Sequence, residues 1–403
     1  MKTLAHFVSR LIALFGIAIC VAAAPASHAQ TAPKIEHVFI IVLENEGFDL
    51  TFGPKSPALY LNSLAKKGAL LKNYYGIGHN SLDNYLAMIS GQAPNYLTQS
   101  DCQDFIDFAP SGPLDADGQA VGAGCIYPAN VPTVVGQMEK AKGNTKLTWK
   151  GYMEDMGNDP ARESAVCGRP VRVRPDSTQR AKRGDQYAAR HNPFIYFHEL
   201  DASCATHIVN LSQLAHDLEK LETTPNYVFI TPNLCHDGHD EPCVDNEPGG
   251  LISADRFLMQ YVPMILNSPA FQYDSAKSKY NGGLLIVTFD EADIYILNNK
   301  LESGDASACC DEPYGPNISS ANKVFDSVDK GPGIVGPGGG RIGAVLVSGY
   351  IKEETVSTVE YNHYSLLKSI EDFFGLEHLG YAAQKGLKGF GADVFTQPSG
   401  KKY

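Results

Sequence analysis

At 403 residues, with 43% apolar residues and a formal net charge of −12, the chain can bury a large core in one α/β domain or two smaller ones. Its acidity argues against non-specific nucleic-acid binding, which needs a basic footprint.

Lys2 and Arg10 open the chain, followed by an apolar run from 11 to 24 and by Ser27-His28-Ala29. A charged start, an apolar centre of this length and small residues at −3 and −1 predict a signal peptide over residues 1–29. Residues 30–403 are then expected to form one domain, secreted or periplasmic. No stable membrane insertion is expected, because the run is short for a bilayer span and no later stretch is long and apolar enough. Cleavage removes two positive charges and no acids, moving the balance from −12 to −14. It also removes Cys20 and leaves cysteines at 102, 125, 167, 204, 235, 243, 309 and 310. An even set in an exported chain predicts disulfides, with the pairing left open. A thiolate metal site has less support, since no CxxC pair occurs.

Residues 37–43, His-Val-Phe-Ile-Ile-Val-Leu, are a continuous apolar run rich in β-branched residues, of the kind buried on both faces of a parallel sheet. The run stops at Glu44-Asn45-Glu46, whose carboxylate and carboxamide oxygens suit a hard cation. Residues 57–67 have helical periodicity. A strand-like aromatic stretch, 70–75, then passes through Gly76 and Gly78 to Ser81. That serine stands where an N-cap belongs before Leu82, Tyr85, Leu86 and Ile89. Its hydroxyl would face unpaired N–H groups at the positive end of a helix, flanked by His79 and Asn84. The bland alternative is a serine that only caps.

From about 95 to 204, Gly, Pro, Asp and Cys are frequent and apolar runs are short, which reads as a disulfide-tied insertion on the sheet. Basic residues gather there at Arg169, Arg172, Arg174, Arg180, Lys182 and Arg183, as a solvated face or a surface toward an anionic substrate. Residues 207–221 read as helix. A short buried strand, 227–232, runs into Asn233-Leu-Cys-His236-Asp237-Gly-His239-Asp240, a cluster suited to metal binding or proton transfer. After a helix at 251–266, a strand at 284–289 ends in Asp290-Glu291. A Gly/Pro/Ser-rich loop (302–340) and a strand (342–347) follow. Tyr361-Asn362-His363-Tyr364-Ser365 then opens a helix reaching Phe374.

Polar clusters thus recur beyond the carboxyl ends of several apolar strands, which share one edge of an open parallel sheet, where ligands bind. HVFIIVLENEGFD, GHNSLDNYLAMISG, YVFITPNLCHDGHD, LLIVTFDEAD and YNHYSLLKSIEDFFG also resemble, in order, motifs of the phosphoesterase family of secreted acid phosphatases and phospholipases C. The resemblance spans roughly residues 35–380 and is loosest between 95 and 190. It implies an alkaline phosphatase-like α/β fold, a three-layer sandwich with a mostly parallel central sheet and a Cys/Gly/Pro-rich insertion. It further implies Ser81 as nucleophile, with His79, His236 and His363 in catalytic roles and Asn84, Asn233 and His239 contacting substrate. Glu44, Asn45, Ser81, Asp290, Glu291 and Asp237 would bind metal. Two departures stand out: Gly47 replaces a serine common in relatives, and Asp83 a proline. An acid so near the phosphate would weaken anion binding or favour acidic pH.

A serine hydroxyl is a poor nucleophile at neutral pH, so a cation is expected to activate it. The oxygen-rich set suits Mg²⁺, Ca²⁺ or Mn²⁺ by softness, with Zn²⁺ as a further candidate. The expected activity is that of an exported, metal-dependent acid phosphatase hydrolysing phosphate monoesters through a phosphoserine intermediate. Its substrate would be a small phosphorylated molecule or a phospholipid headgroup. The alternative is a phospholipase C-type phosphodiesterase or a phosphatidylinositol phosphate phosphatase. A catalytically dead binding protein is disfavoured by retention of Ser81 and both acidic pairs, and a sulfatase by the lack of a C/S-x-P-x-R context near Ser81.

Overall fold

Seven consecutive buried residues make His37–Leu43 (β1) an interior strand of an eight-stranded sheet. The structure is a computed structural model and describes residues 33–141, 146–274, 279–297, 300–318 and 336–397. The other strands of the sheet are β2 (Ala69–Leu71), β3 (Trp149–Met153), β4 (Ile208–Asn210), β5 (Tyr227–Thr231), β6 (Gly283–Phe289), β7 (Ala344–Ser348) and β8 (Thr355–Ser357). Their spatial order is 8-2-7-6-1-5-3-4. Within this sheet only β7 runs against the others, so the expected mostly parallel α/β architecture is what forms.

Every residue of β1, β5, β6 and β7 is buried, which requires cover on both faces of the sheet. Helix α1 (Leu59–Lys67) packs on β7 and on α4 (Gly250–Leu266), while α2 (Ser81–Ser90) packs on α5 (His363–Phe374) and on α3 (Val134–Lys140). Helix α2 is buried along its whole length and stops at Gly91, whose φ of 67° places it in the left-handed region and lets its N–H reach Ala87 O.

Register fixes the functional edge. Leu43 lies opposite Phe289 in β6, and Ile41 opposite Ile230 in β5. The residues after these strands therefore emerge side by side, with Glu44 between those that follow β5 and β6. Backbone bonds continue the pairing past the strand ends: Asp290 N–H donates to Leu43 O, and Glu44 N–H to Asp237 O.

Two expectations need correction. The stretch from 95 to 204 is not simply an insertion, because Trp149–Met153 is a full member of the central sheet beside β5. Lys150 and Gly151 interrupt its apolar pattern; a Cβ at Gly151 would lie 2.8 Å from the Phe194 ring, so glycine there admits the packing that covers the strand. Residues 207–221 are not one helix: His207 ends the short turn Cys204–His207, Ile208 and Val209 extend the sheet edge against β3, and Leu214–Asp217 forms a further α-helical turn.

The cysteines pair as Cys102–Cys125, Cys167–Cys204, Cys235–Cys243 and Cys309–Cys310. All described residues belong to one compact unit, Ala32–Tyr403, and no described helix is long and apolar enough to cross a membrane. The expected signal peptide lies outside the described residues.

Candidate active site

Ser81 does not cap α2. Asn80, with φ 72°, occupies the N-cap without a side-chain cap bond, and Ser81 is the first helical residue. Its hydroxyl donates to Glu44 Oε2 at 2.7 Å, while Asp101, from a separate loop, accepts the Leu82 N–H at 2.9 Å. The turn before it runs close to the β6 end, since a Cβ at Gly76 would lie 2.7 Å from Asp290 O.

Around this serine the acids are crowded and dry. Tyr85 O–H donates to Glu44 Oε1 at 2.5 Å, and Asp290 Oδ1 accepts from the backbone N–H groups of Asn45 and Glu291. Glu291 Oε1 accepts the Asn80 N–H. Burial, and then the charges of Asp290 and Asp237, push the Glu44 carboxyl well above the usual carboxylate range. Burial likewise raises Asp290, Asp237 and Glu291. Several buried atoms among these groups have no hydrogen-bond partner: Asn45 Oδ1, Asp290 Oδ2, Glu291 Oε2 and Asp237 Oδ2.

Two histidines complete the cluster. His79 Nδ1 sits 2.9 Å from Glu291 Oε2 without hydrogen-bond alignment, and burial lowers its pKa to about 4. His191, stacked on Tyr85, places its two ring nitrogens 3.4 Å from Glu44 Oε2 and 3.4 Å from Asp237 Oδ2, again unaligned. Burial, then the nearby Arg190, keeps His191 neutral, as a metal ligand must be. Ligand atoms of Glu44, His191 and Asp237 all lie within 4.8 Å of one another. Buried oxygens and neutral imidazoles that converge yet leave each other unbonded are a donor set shaped for a divalent cation, so these residues fit the metal the sequence implies.

Above them opens a cavity of about 390 Å³ lined in part by Asn45, Glu46, His79, His239, Glu241, Glu291 and Asp293. Burial, then Asp293 and Glu241, lifts Glu46 to about 8. His239 is the basic group on this lining. Burial opposes its charge, but a 2.8 Å contact with Asp240 and the field of Asp237 raise its pKa overall.

Other sequence-predicted residues have different tasks. Asn84 ties the turn together: its Oδ1 accepts from Ile77 and Gly78 N–H, and its Nδ2 donates to Gly78 and Asn80 carbonyls. That leaves the amide no free group for substrate. Asn233 similarly closes its own turn, accepting from Cys235 and His236 N–H and donating to Asp155. His236 faces Glu154 at 2.9 Å and Glu247 at 3.6 Å, and does not line the cavity. The disulfide of Cys235 removes the thiol that would have made a metal site with them. His363 is buried, with Nε2 2.6 Å from Asp290 O and Nδ1 3.1 Å from Tyr74 O–H, so both ring nitrogens face protein groups. Asp83 is buried at the foot of α2, where burial and then Asp101 and Asp290 raise its pKa well above the usual range.

His191 and Arg190 were missed in the sequence. Arg190 is buried, 3.7 Å from Asp101, and its charge reaches Glu44 and Asp237. The available signal was an Arg-His-Asn triplet after two alanines in the least patterned stretch.

The chain is similar to several known proteins. A probable acid phosphatase of Kluyveromyces lactis is 26% identical over 347 residues, covering 85% of this chain and 59% of its own length. A phosphatidylinositol-3-phosphatase of Mycobacterium tuberculosis is 24% identical over 354 residues, covering 88% of this chain and 82% of its own length. A solved structure of a protein in the alkaline phosphatase superfamily from Vibrio parahaemolyticus aligns with a TM-score of 0.43 at 12% identity, over 85% of this chain and 67% of that one. The chain thus spans about three-fifths of the length of the yeast relative. The model of the Phosphoesterase family matches residues 54–377, most of the chain, and the protein belongs to that family.

Proposed function

We propose that this chain is an exported, divalent-metal-dependent acid phosphatase that hydrolyses phosphate monoesters of small molecules, with Ser81 as nucleophile and a phosphoserine intermediate. The observation that carries the reading is the Ser81 hydroxyl, which opens a helix yet donates to Glu44 instead of capping. Family membership and the acid phosphatase relative support the reaction class.

Glu44, Asn45, Asp290 and Glu291 would hold a cation, with Asp237 and His191 converging on Glu44 from the β5 side. When bound, it supplies positive charge that makes the serine oxygen nucleophilic and offsets the acids facing an anionic substrate. Ser81 Oγ attacks phosphorus while its proton passes to Glu44 Oε2, the atom it already faces. The ester P–O bond breaks, and the departing oxygen takes a proton from His239 on the cavity wall. Water then attacks the phosphoserine, giving a proton to His239 and releasing phosphate, and Ser81 recovers its proton from Glu44. A protonated His239 at the start of this cycle accords with an acidic optimum. Acid-quenching turnover of a ³²P-labelled monoester and mapping the label tests the reading. Label on Ser81, lost with chelator, is the expected result; burst-free turnover with no labelled protein would overturn the covalent route.

A further inference from the structure

The basic cluster noted in the sequence stays outside the site just described. Between residues 169 and 183 lie six basic residues and one acid, Asp176, in a chain of net charge −12. Exposed valines alternate with the arginines: Val171 is 64% and Val173 75% exposed, and Val166, one turn earlier, 54%. Val173 has a φ of 58°, an outlier for a β-branched residue. It is pinned there by Val173 N–H to Phe105 O and Phe105 N–H to Arg174 O, and Cys167–Cys204 fastens the loop at its root. Valines displayed to water on a pinned, strained loop contribute nothing to the core.

The charges are only partly neutralised. Arg169, Arg172 and Lys182 meet Asp201, Asp107 and Asp159 in surface pairs, which give way readily to other anions. Arg174, Arg180 and Arg183 have no carboxylate partner among the described residues; Arg183 donates instead to the carbonyl of Val244, itself 40% exposed. The patch adjoins the active-site edge at two points. The segment that pairs with Arg174 and Asp176 starts at Asp101, the residue that accepts the Leu82 N–H of α2. Val244 follows closely on His239 and Glu241 of the cavity wall.

We propose that residues 166–183 form a docking surface for anionic phospholipid bilayers, with the arginines on lipid phosphates and Val171 and Val173 in the headgroup layer. Bilayers of this kind offer both halves of what the loop presents, negative charge at the surface and apolar matter just beneath. A soluble polyanion would use the arginines and ignore the valines. The inference goes beyond the phosphatase reading and does not depend on it.

Sedimenting the full-length protein with phosphatidylcholine vesicles, with and without phosphatidylglycerol, tests it. The apolar segment from 11 to 24 is common to every variant and cancels in the comparison. Binding should rise with phosphatidylglycerol content, and that increment should weaken as salt rises. R174A/R180A should lower partitioning about fivefold per arginine. V171S/V173N, with asparagine chosen because it tolerates positive φ, should lower it severalfold as well. Melting temperature and turnover of a soluble monoester should stay unchanged in both. Equal partitioning of wild type and both variants would overturn the proposal. So would a loss confined to the arginine variant, which would assign the surface to a soluble polyanion.

Discussion

Two helices in this protein begin with the same kind of polar cluster and do opposite things with it. At the start of α5, Asn362 Oδ1 accepts the Ser365 N–H at 3.0 Å, its Nδ2 donates to Glu312, and both ring nitrogens of His363 are engaged. At the start of α2, the N-cap makes no side-chain bond, the serine hydroxyl turns away to Glu44, and His79 Nδ1 meets Glu291 at 2.9 Å without hydrogen-bond alignment. One helix start is closed by its own sequence. The other is left open toward a shared cluster of acids, at a cost in stability that a fully paired terminus avoids. Buried polar groups without partners, more than polar residues as such, separate the end proposed to react from the structural one.

The largest expected effect is at α2. Ser81→Ala should lower kcat about a thousandfold or more, roughly 4 kcal/mol of barrier, while stability falls only by the one hydrogen bond to Glu44, because the hydroxyl caps nothing. Steady-state rates beside a thermal melt would show it; a large loss of stability with little loss of rate would erase the contrast between the helices. Next, Asp290→Asn should reduce bound metal and turnover together, by at least about tenfold, as measured by elemental analysis and kinetics on the same preparation. At α5 the balance should reverse. His363→Phe removes two buried hydrogen bonds and should cost about 2 kcal/mol in denaturant unfolding while retaining measurable turnover. Asn362→Ala should cost about 1 kcal/mol, the usual worth of a cap.

A separate effect is a pH dependence at the closed helix. Burial raises Glu312, the partner of Asn362, from an ordinary 4.5 to about 8. An acid whose folded pKa lies above its unfolded one holds its proton longer in the folded state. Its contribution to stability is therefore fullest below about pH 4.5 and declines as pH rises toward 8. Melting temperature should fall with pH across that window in the wild type, and less steeply in Glu312→Gln.

Much of the edge that carries the site was legible before any coordinates. β1 and β6 announce themselves as unbroken apolar runs, and an acid at the end of each becomes a neighbour of the other once the strands pair in parallel register. Trp149–Met153 was not legible, because a lysine and a glycine interrupt it and its burial depends on Phe194, far along the chain. His191 follows no strand and has no periodic neighbours, so only the folded chain brings it to Glu44. For Asn84, Asn233 and His363 the residue type was the same whether the side chain held a turn or a phosphate. Partner geometry decided between them, and composition carries no partner geometry.

The position of β1 has a consequence for how the chain is made. It is the first strand of the sheet to be synthesised, yet its neighbours start at Tyr227 and Gly283. Until those segments arrive, the buried strand His37–Leu43, with its six apolar residues, has no native ladder to join. Contacts so distant in sequence make for slow folding and long exposure of a sticky segment, the circumstances in which newly made chains aggregate. Refolding yield should accordingly fall steeply with protein concentration, and a holding chaperone that covers β1 should restore it.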